Sequence, residues 1–207
     1  KTQLRALLRA AKYGNLAIMY PMIISVDEVL RIREIVAEVA AELKREQIPY
    51  AIPEQGIMIE TPAAVMICEE LAELVDFFSI GTNDLIQYTT ATDRMNENVQ
   101  YLYDTCSMAV LRSVNMVCQN AAKYGVPVNM CGEAASDATV IPLWVAMGLA
   151  ELSVVPGQVA RTKYIVDHLD QGKLRQRLPE LLSLATVEEV RAAMKAIGCE
   201  YHILPDE

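Results

Sequence analysis

The feature that most constrains this chain is an alternation. Short β-rich runs are followed, five times over, by longer segments with helical periodicity. The predicted strands are 17–24, 56–60, 77–81, 126–130 and 151–155. A helix over 4–13, stopped by Gly14, precedes the first. Ser25-Val26-Asp27-Glu28 reads as a capping box, in which the hydroxyl and the carboxylate satisfy amides that a helix start leaves without partners. Val29, Ile32, Val36, Val39, Ala40 and Leu43 then form one apolar face at helical spacing. Thr61-Pro62 opens a helix to about residue 74, with a capping hydroxyl and a proline at the first helical position. Thr82-Asn83-Asp84 opens a short helix, and 93–98 reads as a polar loop. Ser107 is the predicted cap of a helix that stops at Gly125, and Asp137 that of a helix through Met147. Another helix, to about residue 169, follows Pro156-Gly157. Two helical segments close the chain, the second capped by Thr186 and Glu189 and ending at Gly198.

Strands that alternate with helices imply an α/β fold of parallel strands joined by right-handed crossovers. The runs YPMII, GIMI, FFSI and VNM barely alternate in polarity, as strands covered on both faces do not. Two architectures fit: an open doubly wound sheet, or part of a (β/α)8 barrel. No GxGxxG follows the first strand, which weighs against a dinucleotide-binding sheet.

Composition removes other classes. A hydrophobic share of 53% is too high for a disordered chain. A net charge of −9 lacks the basic surface that nucleic-acid phosphates require. The longest apolar run, 139–150, contains Pro142 and falls short of the roughly 18 residues of a membrane span. The opening residues carry no signal-peptide core, and Lys1 in place of an initiator methionine predicts a fragment or a processed product. Five irregularly spaced cysteines do not form a secreted disulfide framework, and two histidines without a CxxC pair disfavour a zinc cage. Free thiols in a cytoplasmic protein are expected.

Position carries the functional information. Glu60 ends the second strand, Asn83 and Asp84 follow the third, and Cys131, Gly132 and Glu133 follow the fourth. Parallel strands bring these ends to one face, where barrel and open-sheet enzymes alike build their sites. Glu60 and Asp84 can share a hard cation such as magnesium, which takes one or two carboxylates together with waters and phosphate oxygens. Glu60 can equally be an ordinary carboxylate near a helix start. Gly81-Thr82-Asn83-Asp84 offers backbone amides to an anion, or is simply a capped turn. Arg94 is suited to a phosphate, or is a solvated loop charge. Cys131 can be a nucleophile, a metal ligand or a general acid, or else a small buried hydrophobe. No histidine is placed to make it a thiolate, which weakens the nucleophile. Cys68 and Cys118 fit the packing role, and the ten methionines read as core filler. His168 and His202 lie away from the strand ends.

GIMIETPAAV at 56–65, DFFSIGTNDLIQYT at 76–89, DRMN at 93–96 and NMCGEAASD at 129–137 resemble enzyme I of the bacterial phosphoenolpyruvate-dependent sugar phosphotransferase system. The resemblance begins with QLRALLRAAKYGNLAIMYPMIISVDEV at 3–29 and covers roughly residues 3–195. It implies a (β/α)8 barrel, present as about five βα units over 1–170, with 171–207 as a helical extension of the same domain. It also implies binding of magnesium and phosphoenolpyruvate, and passage of the phosphoryl group to a histidine of another domain and then to HPr. A homodimer is implied as well. By resemblance, Glu60 and Asp84 hold magnesium, Asn83, Asp84 and Arg94 contact substrate, and Cys131 protonates the enolate as pyruvate forms. The chain departs from the family pattern at Met95 and Ser136, each in place of a glycine, and at Met108, in place of a proline. With fewer strands than a closed barrel, it is expected to expose open sheet edges. The alternatives are a pyruvate phosphate dikinase or phosphoenolpyruvate synthase of the same superfamily, and a non-catalytic dimerisation or regulatory module.

Overall fold

The computed structural model describes residues 1–203. Its elements run α1 (Thr2–Ala10), β1 (Ala17–Tyr20), α2 (Val26–Arg45), β2 (Glu54–Ile59), α3 (Pro62–Met66), α4 (Cys68–Ala72), β3 (Phe77–Gly81) and α5 (Thr82–Thr90). They continue with α6 (Met108–Lys123), β4 (Val128–Cys131), α7 (Ile141–Met147), β5 (Glu151–Leu152), α8 (Val159–His168), α9 (Gln171–Leu181) and α10 (Val187–Glu200).

All strand pairings are parallel, and the sheet order is β1-β2-β3-β4-β5. A doubly wound sheet reverses its order at a switch point. This order never reverses, so right-handed crossovers leave the helices on one face. Side contacts agree: α2 packs on α4, α4 on α6, and α6 on α7. Of the two architectures open to the sequence, the chain adopts the barrel type, as five consecutive βα units.

The strand registers assign each residue a face. Ile57, Phe78 and Val128 stand abreast, as do Ile59, Ile80 and Met130, and all six are buried under the helices. The intervening positions, among them Met58, Ser79 and Asn129, point to the concave side. That side carries the polar groups. A second, smaller core joins Leu8, Ile18, Val36, Val39 and Leu43 beneath α1 and α2. At the other end α9 and α10 pack on α7, and Leu174, Leu178, Val190, Met194 and Ile197 enter the main core.

Several boundaries differ from the sequence reading, each for a local reason. β1 ends at Tyr20 because Pro21 has no amide to offer and Met22 adopts a left-handed φ of 57°. The helix after Thr61 breaks at Ile67 (φ −114°, ψ 20°) into α3 and α4. Ser107 occupies the N-cap of α6 but makes no capping bond; Asp104 instead accepts from the Cys106 amide at 2.8 Å. Asp137 accepts from the Thr139 amide at 2.9 Å, while α7 starts one turn later after Val140. The capping boxes at Ser25 and Thr186 form as expected.

β1 and β5 are free edges of the sheet, and an apolar groove runs beside β5. The groove at β5 has a volume of about 670 Å³ and is lined by Trp144, Leu152, Val154, Val159 and Thr162, among others. A second groove, past the end of β1, is lined by Pro21, Met22, Ile23 and Ile32 together with the charged Asp27, Glu28 and Arg31. Among the described residues, no helix is long and apolar enough to cross a membrane. All five cysteines are free.

Thr61 ties the first two strands together. Its buried hydroxyl donates to the Ile23 carbonyl at 2.7 Å and accepts from the Ala64 amide at 3.1 Å. Thr61→Val removes both bonds at nearly constant volume and leaves two backbone groups without partners, at a cost of about 2 kcal/mol. Urea unfolding should show a lower midpoint at unchanged slope. An unchanged midpoint would mean that neither bond matters.

Candidate active site at the carboxyl ends of the strands

The site is built on one row of the sheet. The β3–β4 register sets Gly81 beside Cys131. One step beyond the β2–β3 pairing of Ile59 with Ile80, Glu60 stands beside Gly81. A carboxylate, a gap and a thiol thus lie side by side on the concave face. The gap is required. A Cβ on Gly81 would lie 2.8 Å from Glu60 Oε2 and 2.8 Å from Met58 Sδ. Any side chain here would displace the carboxylate.

Glu60 is only 4% exposed. The Met22 amide donates to its Oε1 at 2.7 Å, so the left-handed turn after β1 serves to deliver that amide. Burial raises the Glu60 pKa most, and the Met22 hydrogen bond opposes it. The charge of Asp84 and a hydrogen-bonding contact with it raise the value further. Two carboxylates therefore meet side by side, a costly arrangement unless a proton or a cation sits between them.

Asn83 and Asp84 come from the first turn of α5, which starts directly from β3. Thr82 donates to the Cys131 carbonyl at 2.9 Å. Asn83 Oδ1 accepts from the Glu133 amide at 3.1 Å, and its carbonyl accepts from Tyr103 Oη at 3.2 Å. Gly132 makes this junction fit. Its φ is +92°, and a Cβ there would lie 2.3 Å from Thr82 Oγ1 and 2.9 Å from Asn83 Oδ1.

Burial pushes the Cys131 thiol above its ordinary value. The Ser79 hydroxyl, 3.9 Å from its sulfur, opposes the shift, and the Glu60 charge adds to it. Cys131 is thus a neutral thiol at physiological pH, able to donate a proton. No histidine lines the cavity around it, so nothing there activates a nucleophile. Cys106 and Cys118, pushed up to about 11 and about 12 by burial, are inert packing groups.

Glu60, Asn83, Asp84, Arg94 and Cys131 all line one cavity of about 180 Å³ with Met58 and Thr82. All five residues singled out from the sequence meet there. Arg94 arrives on the loop after α5, where its amide donates to Gln87 Oε1 at 3.2 Å. The sequence reading missed Ser79, Tyr103 and the Met22 amide. Ser79 was within reach, two residues before Gly81 on the same face; Tyr103 and Met22 carry no local signal. Met95 is 83% exposed. Ser136 donates to the Glu133 carbonyl at 3.1 Å, and Met108 is buried in the core.

Among the described residues no group of three or more His, Cys, Asp or Glu side chains gathers in a metal-binding cluster. The adjoining Glu60 and Asp84 are the available hard donors. They fit a magnesium ion, which needs only one or two carboxylates if waters and a phosphate complete its shell.

A five-unit segment of barrel type, with carboxylates, an arginine and a neutral thiol gathered at its carboxyl face, places the chain among α/β barrel-type folds with a polar site at the strand ends. The family model described as "PEP-utilising enzyme, PEP-binding domain" matches residues 1–171, and the chain belongs to this family. Relatives include proteins named phosphoenolpyruvate-protein phosphotransferase. That of Listeria monocytogenes is 47% identical over 192 residues, covering 92% of this chain and 33% of the relative. That of Bacillus subtilis is 44% identical over 196 residues, 94% of this chain and 34% of the relative. The chain therefore spans about a third of the length of the curated relatives it matches. A solved citrate lyase from Burkholderia xenovorans shares the fold, with a TM-score of 0.58 at 16% identity over 100% of this chain and 70% of that one.

Because burial holds Cys131 as a thiol, its alkylation by iodoacetamide should keep accelerating as pH rises past 9.0, the ordinary thiol value. Mass spectrometry of the Cys131 peptide reads the rate. A plateau reached by neutral pH would show a thiolate instead.

Proposed function

We propose that this chain is the substrate-binding part of a phosphoenolpyruvate-protein phosphotransferase. The observation that carries the reading is the row of Glu60, Gly81 and Cys131, with Asn83, Asp84 and Arg94 around the same cavity. The relatives' names favour a phosphotransferase over a dikinase or synthase.

Transfer breaks the bond between phosphorus and the enol oxygen of phosphoenolpyruvate and forms one between phosphorus and a histidine nitrogen. The electron pair of the broken bond stays on the enol oxygen, leaving an enolate. The Cys131 thiol gives its proton to the methylene carbon of that enolate, which becomes pyruvate, and the thiolate recovers a proton from solvent. A general acid of this kind contributes roughly 10²–10⁴ in rate. The raised pKa of Cys131 keeps it charged with that proton at neutral pH. Arg94 faces the phosphate or the enolate oxygen, and the Asn83 amide orients the substrate against them. Glu60 and Asp84 are the residues that hold magnesium, which when bound offsets the negative charge of the phosphoryl group.

The phosphorylated histidine and the contact with HPr belong to the part of the relatives' length outside this chain, and the setting is cytoplasmic sugar uptake. Residues 1–170 act as a partial barrel and 171–203 as its extension, the expected extension to 207 ending in residues 204–207, which lie outside the described residues. A homodimer is in keeping with the resemblance, and exposed Met22, Ile24 and Ile52 near the β1 edge give it apolar surface to cover.

The deciding experiment uses the product of the complete reading frame. Cys131→Ala should bind phosphoenolpyruvate with magnesium normally but lose most turnover to pyruvate, on the order of 10²-fold or more. Normal turnover would remove Cys131 as the acid. Absence of magnesium-dependent binding in the unmodified protein, read by calorimetry, would favour the non-catalytic module. In a second test, Asp84→Asn should raise the magnesium concentration needed for half-maximal activity at least severalfold. An unaltered requirement would strike Asp84 from the ligands.

A further inference from the structure

The cavity at the strand ends is lined by carboxylates, an amide, an arginine, a hydroxyl, a thiol and two glycines, and by one thioether, that of Met58. Among the described residues that line it, Met58 alone has an aliphatic side chain. Its place follows from the register. Met58 of β2 stands beside Ser79 of β3 on the concave face, one row below Glu60 and Gly81. The side chain does not stay in that row. Its sulfur reaches up and across to the gap at Gly81, where a Cβ would lie 2.8 Å from it and 2.8 Å from Glu60 Oε2. Ser79 reaches up likewise, and its hydroxyl meets the Cys131 sulfur at 3.9 Å. One row lower the concave face is apolar: the Phe77 ring lies over Gly56, where a Cβ would come within 2.5 Å of it. Met58 thus marks the level at which an apolar interior gives way to the polar site.

One apolar group in an otherwise polar cavity suits a ligand with one apolar part. The substrate of the proposed function has that composition. Its phosphate, carboxylate and enol oxygen carry charge or accept hydrogen bonds, and its methylene carbon does neither. That carbon is also the atom that takes the Cys131 proton. Gly81 and Cys131 are paired neighbours on strands about 4.8 Å apart. A carbon within reach of the thiol therefore stands over the gap at Gly81, against the Met58 sulfur. A thioether is apolar and polarisable, and it has no proton to compete with that of the thiol. The gap is also shallow. An atom at the Cβ position of Gly81 would already crowd both Met58 and Glu60. The floor leaves no depth for a substituent on the methylene carbon.

We infer that Met58 is a specificity-determining residue: its thioether is the floor on which the methylene carbon rests beside Cys131, and its bulk disfavours enol phosphates that bear a substituent on that carbon. The inference deepens the proposed function and rests on it, in particular on Cys131 as the acid. It gives this methionine a task distinct from filling the core.

The test compares two substrates in the product of the complete reading frame. One is phosphoenolpyruvate; the other is the enol phosphate of 2-oxobutyrate, which bears one methyl on the reacting carbon. The readout is the ratio of their kcat/KM values, from release of pyruvate and of 2-oxobutyrate. Met58→Ala removes the thioether and opens the floor. The preference for phosphoenolpyruvate should then fall on the order of tenfold, the discrimination that one methyl group commands in an apolar pocket. A merely structural role for Met58 would slow both substrates alike and leave the ratio where it was. Met58→Leu guards against an alanine variant that does not fold. Leucine conserves volume and apolarity but ends one atom sooner, so the ratio should shift in the same direction, less far. A ratio that stays put in the folded variants, or moves toward phosphoenolpyruvate, overturns the role of Met58 and leaves the proposed function standing. Failure of the unmodified protein to turn over phosphoenolpyruvate overturns the proposed function, and the role of Met58 with it.

Discussion

The arrangement depends on holding a largely buried carboxylate at the strand ends. Glu60 is nearly buried, and burial is the largest influence on its proton affinity. A buried carboxylate needs donors or a cation. The Met22 amide supplies one donor, and its delivery explains a left-handed methionine, an early end to β1, and the hydrogen bond from Thr61 to Ile23 that fixes the same turn. On the other side, the carboxylate needs the space that Gly81 leaves empty. One charged group thus dictates the backbone of three neighbouring strand ends.

The fold class was legible because strand and helix periods differ and because the capping signals at Ser25, Thr61 and Thr186 are local chemistry. The convergence of Glu60, Asn83, Asp84 and Cys131 was legible for a related reason. Parallel strands put every carboxyl end on one face, so position along the chain translates into position in space. Strand order, by contrast, is not a local property: the residues alone left barrel and doubly wound sheet open, and the barrel that the resemblance implied is the one the β1-to-β5 pairings show. Tyr103 was out of reach for the same reason. Its hydrogen bond goes to a residue 20 positions earlier, and nothing in YLYDTC announces it.

The expected caps at Ser107 and Asp137 show where local rules stop. Both residues are good caps, but neighbours bend the chain first. Asp104 takes the Cys106 amide, and the short turn after Gly132 pushes the start of α7 beyond Asp137. Tertiary demands of the strand-end loops override helix-start preferences in the region that carries the site. The loops whose boundaries shifted are those that bring Tyr103 and Glu133 to Asn83.

Charge gives the site its direction. The chain as a whole is acidic, at −9, and so is the strand-end row, where Glu60 and Asp84 adjoin. On the proposed reading, a cation held by these two carboxylates would offset the charge of an anionic substrate. Burial is what chiefly keeps Cys131 protonated, and the neighbouring Glu60 charge adds to it. Were Glu60 moved away to admit the anion directly, the thiol would lose part of what holds its proton, and the gap at Gly81 would lose its reason.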